Sequence, residues 1–169
     1  MKKLLLALVV VSFTFSFNAY SQGSKTLTPV EKIGLGVKVG ATGGNGISFA
    51  YAMKENIHIG SGIGIGFITD SDGSDDGGVL LNFNPFFRYI LNNNANLFPY
   101  LEFNFLFTEF PRAGNNSSSS TINIQLGGMW FPFSTVSVRG GLTSIAYNID
   151  SSQLLIGTLG PFIGIDWWM

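Results

Sequence analysis

Few side chains in this sequence could do chemistry, and most of them are isolated from one another. His58 is the sole histidine, and so the only side chain whose ordinary titration falls near neutral pH. No serine and acid sit beside it at a spacing that would suggest a nucleophile and its base, so no catalytic residue is assigned. The carboxylates Asp70, Asp72, Asp75 and Asp76 fall in a short glycine- and serine-containing run that could hold calcium weakly. Their order departs from a calcium-binding helix–loop–helix, because the glycine is misplaced and the closing glutamate is missing. The usual explanation for such a run is a flexible solvated loop. Cysteine is absent, which excludes a disulfide framework and a lipid-anchored amino terminus. No cofactor or metal site is expected.

The remaining charges are more informative. Lys38, Arg88, Glu102, Arg139 and Asp166 each stand alone in a stretch of alternating apolar and small or polar residues. Such a charge is placed on one face of a strand, opposite the apolar face. Arg88 and Glu102 flank the same short turn at nearly equal distances, so they are expected to pair across neighbouring strands.

The elements that must carry these residues follow from the alternation. Ile33, Leu35, Val37 and Val39 share one face, and Gly34, Gly36, Lys38 and Gly40 the other. The same pattern recurs from Ile47 to Met53, Ile57 to Phe67, Leu81 to Tyr89, Leu101 to Thr108, Ile122 to Trp130, Val136 to Thr143 and Leu159 to Met169. Connections are read at 43–46, 54–56, 70–78, 91–96, 109–120, 132–134 and 148–153. The stretch Asn115–Ser120, ending in four serines, reads as part of an exposed, mobile loop.

The amino terminus has the form of a secretory signal. Lys2 and Lys3 precede an apolar run, and Ala19-Tyr20-Ser21 offers small residues where a signal peptidase cuts. This predicts a signal peptide over 1–21 and a mature domain over 22–169. Of nine basic residues two fall in that signal, against ten acidic ones in all, and no basic block supports nucleic-acid binding. The mature chain also contains no apolar run of the roughly 20 residues that a spanning helix needs.

An exported, apolar, alternating chain has two solutions: a β-sandwich or a membrane-spanning barrel. A sandwich would turn charged residues to solvent on its outer faces, whereas the polar faces here are mainly glycine, asparagine, serine and threonine. The sequence therefore predicts an all-β fold, an eight-stranded antiparallel up-and-down transmembrane β-barrel, with apolar residues outward and the five charges in its lumen. Tyr89, Trp130 and Trp167 are placed at one rim, and Phe67 and Phe107 at the other, as interfacial girdles. Pro85 and Pro161 fall inside strands, where a closed sheet has no free edge for them, so bulges are expected there. Gly34, Gly36, Gly40, Gly60, Gly62, Gly64 and Gly66 line one inner wall. They either make room for Phe86, Arg88, Arg139 and Phe162 or leave a narrow cavity for water or a small ligand.

These features resemble the small eight-stranded outer-membrane barrels, the group that includes OmpX and Ail-like proteins. At the carboxy terminus, Gly164, Trp167 and Met169 match the marked places of that group's assembly signal, while Phe162 stands where a polar residue is usual. The resemblance implies location in the outer membrane of a Gram-negative cell, contact with lipid and lipopolysaccharide, and insertion by the barrel-assembly machinery. It also implies a monomer with a structural or surface-interaction role, whose outer loops allow an extracellular ligand. A narrow pore is the alternative, and a lipid-directed enzyme is a more distant one. The strand projection typical of OmpX and Ail-like proteins is not evident in the sequence.

Overall fold

The computed structural model describes residues 28–40, 45–68, 78–91, 97–112 and 115–169. The signal-peptide segment 1–21, the acidic run Asp70–Asp76 and the centre of the asparagine-rich turn lie outside them.

Eight strands form a closed barrel in which each pairs with its sequence neighbour and β8 returns to β1. They are β1 (Lys32–Gly40), β2 (Gly46–Lys54), β3 (Ile57–Ile68), β4 (Gly78–Ile90), β5 (Leu97–Arg112), β6 (Asn115–Phe133), β7 (Val136–Asn148) and β8 (Gln153–Trp168). All neighbouring pairs are antiparallel. Closure rules out the sandwich, since the described residues form one closed sheet whose apolar outer face no other described element covers. Ile65 is 64% exposed, whereas Arg88 on the inner face is 0% exposed. This inverts the usual distribution, in which charged side chains stay in water.

The start of β1 and the end of β8 lie at one end of the barrel, here called the terminal end. The tight turns Glu55–Asn56 and Ser134–Thr135 lie there too. The opposite, far end carries the β5–β6 and β7–β8 hairpins. Here the structure corrects the sequence reading. Residues 109–112 and 115–120 are not loop: Glu109 pairs with Ser118 and Arg112 with Asn115, continuing the register of the strands below. Serine and asparagine carry no apolar alternation to betray a strand, yet a ladder already in register extends through them as long as its backbone groups keep finding partners. Likewise β8 begins at Gln153, opposite Asn148, well before Leu159. β6 therefore runs for 19 residues against 9 in β1. The far-end projection missing from the sequence reading is present.

The prolines behave differently from expectation. At Pro85 the register between β3 and β4 is unbroken, with Ser61 opposite Pro85. On the β5 side, bridges lapse at Asn84 and Pro85 and resume at Phe86 without a shift. The missing N–H removes a rung and does not insert a residue. At Pro161 the pairing with Leu142 is also regular. The irregularity lies a few residues earlier, where Ser144 of β7 stands opposite Gly157–Leu159 and Gly157 takes a φ of 144°. Glycine tolerates that backbone, so the bulge forms at the glycine and spares the proline.

Candidate functional site

Among the described residues the barrel interior gathers a cluster of ionisable groups, and it is layered. At the terminal end it is apolar. Ala52, Ile90, Phe98, Met129, Phe131 and Trp168 form a packed plug, with the ring of His58 at 4.9 Å from that of Trp168. Trp168 is the residue the sequence reading left unassigned. It lies one position from the outward Trp167, so alternation alone turns it inward, where it is 1% exposed. Its indole Nε1–H donates to Ser137 Oγ at 3.0 Å. Gly34 makes this possible, because a Cβ there would stand 2.9 Å from the indole ring.

Above the plug sits the charged layer. Arg88 and Glu102 are directly opposite in the β4–β5 register. Arg88 Nε donates to Glu102 Oε2 at 2.9 Å, with Nη2 at 2.8 Å from the same oxygen. The other carboxylate oxygen of Glu102 accepts from Lys38 Nζ at 3.4 Å, and Lys38 also donates to Gln125 Oε1 at 2.8 Å. Arg139 Nε donates to Asp166 Oδ2 at 2.9 Å, and Arg88 Nη1 lies 3.9 Å from that oxygen. Lys38, Arg88, Glu102, Arg139 and Asp166 are thus one connected network drawn from β1, β4, β5, β7 and β8.

Supporting contacts complete it. Arg139 Nη2 donates to Ser48 Oγ at 3.3 Å, and Ser137 Oγ donates to Asp166 Oδ2 at 3.4 Å. The Lys38 ammonium lies 4.7 Å from the centre of the Phe162 ring, and the Arg88 guanidinium lies 4.9 Å from that of Phe86 and 5.1 Å from that of Tyr100. These aromatic faces offset part of the cost of burying cations. The alternation puts Ser48, Gln125, Ser137 and Tyr100 on the lumen face but not in the network, because such residues look alike until the register shows which ones meet a charge.

Towards the far end a neutral ladder takes over. Asn123 Nδ2 donates to Asn104 Oδ1 at 3.1 Å, Thr108 Oγ1 to Asn82 Oδ1 at 3.0 Å, and Gln125 Nε2 to Thr143 Oγ1 at 3.1 Å.

The inner glycines are chiefly there for these side chains. A methyl group on Gly36 would overlap Asp166 Oδ1, one on Gly40 would meet Phe162 at 2.7 Å, and one on Gly60 would overlap a β2 carbonyl and meet Phe86. Gly62 is different, its nearest neighbours standing at 3.6 Å and 3.7 Å.

Of the carboxy-terminal signal residues, Trp167 and Met169 face outward and Gly164 inward. Gly164 lies between Lys38 and Arg139 in one cross-strand row. His58 is wholly buried, and neither of its ring nitrogens has a hydrogen-bond partner among the described residues. The acidic residues Asp70, Asp72, Asp75 and Asp76 lie outside the described residues.

A closed eight-stranded antiparallel barrel with ion pairs inside and aliphatic side chains outside defines the class of this protein. The same architecture occurs in the N-terminal β-barrel domain of Pseudomonas aeruginosa OprF, whose crystal structure superposes with a TM-score of 0.58. The match covers 83% of this chain and 98% of that domain at 11% identity, a likeness of fold alone. No protein-family model matches the sequence, and no curated protein matches it either.

Proposed function

We propose that this protein is an integral outer-membrane barrel whose role is structural and surface-interactive, with a plugged lumen and projecting far-end hairpins. The observation that carries the reading is the inverted burial: ion pairs enclosed by the sheet, and a continuous belt of Ile, Leu, Val and Phe on its outside. Only hydrocarbon makes such a surface stable, and only a closed barrel satisfies its backbone groups there. Outward Trp130, Trp167 and Tyr89 fit an interfacial girdle at the terminal end, which would then face the periplasm. Fractionation of expressing cells tests this. The protein is expected in the outer-membrane fraction, migrating faster unboiled than boiled. A soluble product with no heat-dependent shift overturns it.

The surface role is supported by the projection of β5 to β8. Asn148 Nδ2 donates to Ser119 Oγ at 3.0 Å, and the turn carboxylate Asp150 accepts from the Ser120 amide at 2.6 Å, so the two hairpins are braced together. Leu154, Leu155 and Ile156 are exposed on that projection, Ile156 to 72%. This is the shape expected of OmpX and Ail-like barrels, and it offers an outer surface to an extracellular ligand. Insertion by the barrel-assembly machinery and contact with lipopolysaccharide belong to the same reading.

A further inference from the structure

The wall of the barrel is uneven at its far end. Gly40, the last residue of β1, stands opposite Phe162, and Ile47, near the start of β2, stands opposite Ile63. Above that level β8 continues through residues 153–161 and β3 through 64–68. On the side facing β1, this part of the β8 edge has no strand partner among the described residues. The link 41–44 joins Gly40 to Asn45, whose side-chain oxygen accepts from the Gly40 amide. A link of that length adds at most about two residues to each strand, which leaves 153–159 open. The short first hairpin therefore cuts a notch in the rim, bounded by the free edge of β8. Gly157 stands in the open there, since a Cβ on it would meet nothing within 4 Å.

The depth of this edge follows from Trp167, which marks the terminal rim. A tilted strand crosses hydrocarbon in about 10 residues, so β8 reaches the outer boundary near Gly157. The free edge thus begins inside the outer leaflet and leaves it where acyl chains join their headgroups. Its backbone N–H and C=O groups need partners that hydrocarbon cannot supply. Its side chains are apolar on both faces. Leu154 and Ile156 point outward beside Tyr147 and Ile145, and Leu155 points to the lumen mouth. All three are more exposed than buried, and no charged residue occurs from Gln153 to Pro161. Exposed edges are ordinarily covered or blunted by charge. This one calls for an occupant that offers both hydrogen bonds and hydrocarbon.

We propose that the β8 edge is a binding site for lipopolysaccharide, engaged through the uncharged layer where its acyl chains are amide-linked to sugar. The lipid's amide N–H and hydroxyl groups donate to the edge carbonyls, and its carbonyl oxygens accept from the edge N–H groups. Its chains lie against Leu154, Leu155 and Ile156. Phosphatidylcholine is the rival occupant. Its ester oxygens accept but it has no group to donate, so the edge carbonyls stay unpaired. The inference rests on the outer-membrane reading above, with the far end outside.

The test is amide hydrogen exchange of the full-length folded barrel in phosphatidylcholine bilayers, with and without purified lipopolysaccharide. Edge amides within 153–159 are expected to exchange roughly tenfold more slowly when lipopolysaccharide is present. Leu155→Asp is expected to lose most of that slowing. Leu155 is exposed, so the substitution leaves the packed interior untouched. Edge amides that exchange equally fast in both bilayers assign the edge to water and overturn the proposal. Equal protection in phosphatidylcholine alone, or full protection in Leu155→Asp, overturns it too. Heat-dependent gel mobility in the same samples reports on the barrel separately. A folded barrel with an unprotected edge refutes the lipid site and leaves the membrane reading standing, whereas a chain with no mobility shift removes both.

Discussion

Glu102 is the residue on which the lumen turns, since its two oxygens serve cations from two different strands. Replacing it by glutamine removes the negative charge while keeping the shape, and leaves Arg88 and Lys38 facing each other in a medium that screens them poorly. Breaking a buried pair in this way costs about 3–5 kcal/mol. Glu102→Gln is therefore expected to lower the stability of the refolded barrel by that order in urea titrations in lipid, and an unchanged midpoint would remove the network from the stabilising terms. The two terminal tryptophans give a second comparison at this scale. Trp168 is packed in the plug and Trp167 is outside it. Trp168→Ala should cost about 3–5 kcal/mol through the cavity it leaves, and Trp167→Ala clearly less. Equal losses would mean that the plug does not act as a core. Arg88 and Glu102 could be paired from the sequence, because a short turn fixes which residues face each other. Lys38, Asp166 and Arg139 could only be placed on the inner face. Arg139 meets Asp166 across the β7–β8 pair, whose register is broken by the bulge opposite Ser144, and Lys38 reaches Glu102 across the lumen, and no local pattern encodes either.

At the scale of elements, alternation located all eight strands because β-branched and aromatic residues mark the outer face at every second position. It failed where that marking stops, in the serine-rich start of β6 and in the first residues of β8, whose side chains are exposed on both faces. The serines carry no hydrophobic mark, and Leu154-Leu155-Ile156 is apolar without alternating, so neither stretch shows a period of two. The prolines were misjudged for a related reason. A missing donor can be accommodated by losing a rung, which the sequence does not distinguish from a bulge. This makes Pro85 a testable position. Its neighbours keep one register on both sides of the gap, so Pro85→Ala supplies an N–H where the β4–β5 ladder lapses. A net hydrogen bond contributes about 0.5–1.5 kcal/mol, and the variant is expected to unfold at higher urea than the wild type by that order. A loss of stability would show that the proline ring, and not its missing donor, governs this stretch.

The whole molecule is a barrel with a dry end, a charged middle and a projecting far end, and this sequence of layers has two consequences for a membrane. The first concerns permeation. An ion would have to pass the packed side chains of Trp168, Met129, Phe131 and Tyr100 after crossing a layer of paired charges, and eight strands enclose little more room than such side chains fill. Planar bilayers holding the folded barrel are expected to stay electrically silent; steady unitary currents would show that the plug moves aside and would favour the pore. The second concerns orientation. With tight turns at the terminal end and braced hairpins at the other, the asymmetry is that of barrels with short periplasmic turns and longer outer loops. A peptide tag inserted between Asp150 and Ser151, in the exposed turn after β7, should therefore be reached by antibody on intact cells. The same tag between Ser134 and Thr135 should be reached only after the outer membrane is opened. Insertion at either turn leaves every strand pairing intact, so folding can be checked by heat-dependent mobility in the same samples. The opposite accessibility would invert the barrel and put the hairpins of β5 to β8 in the periplasm, where an extracellular ligand could not meet them.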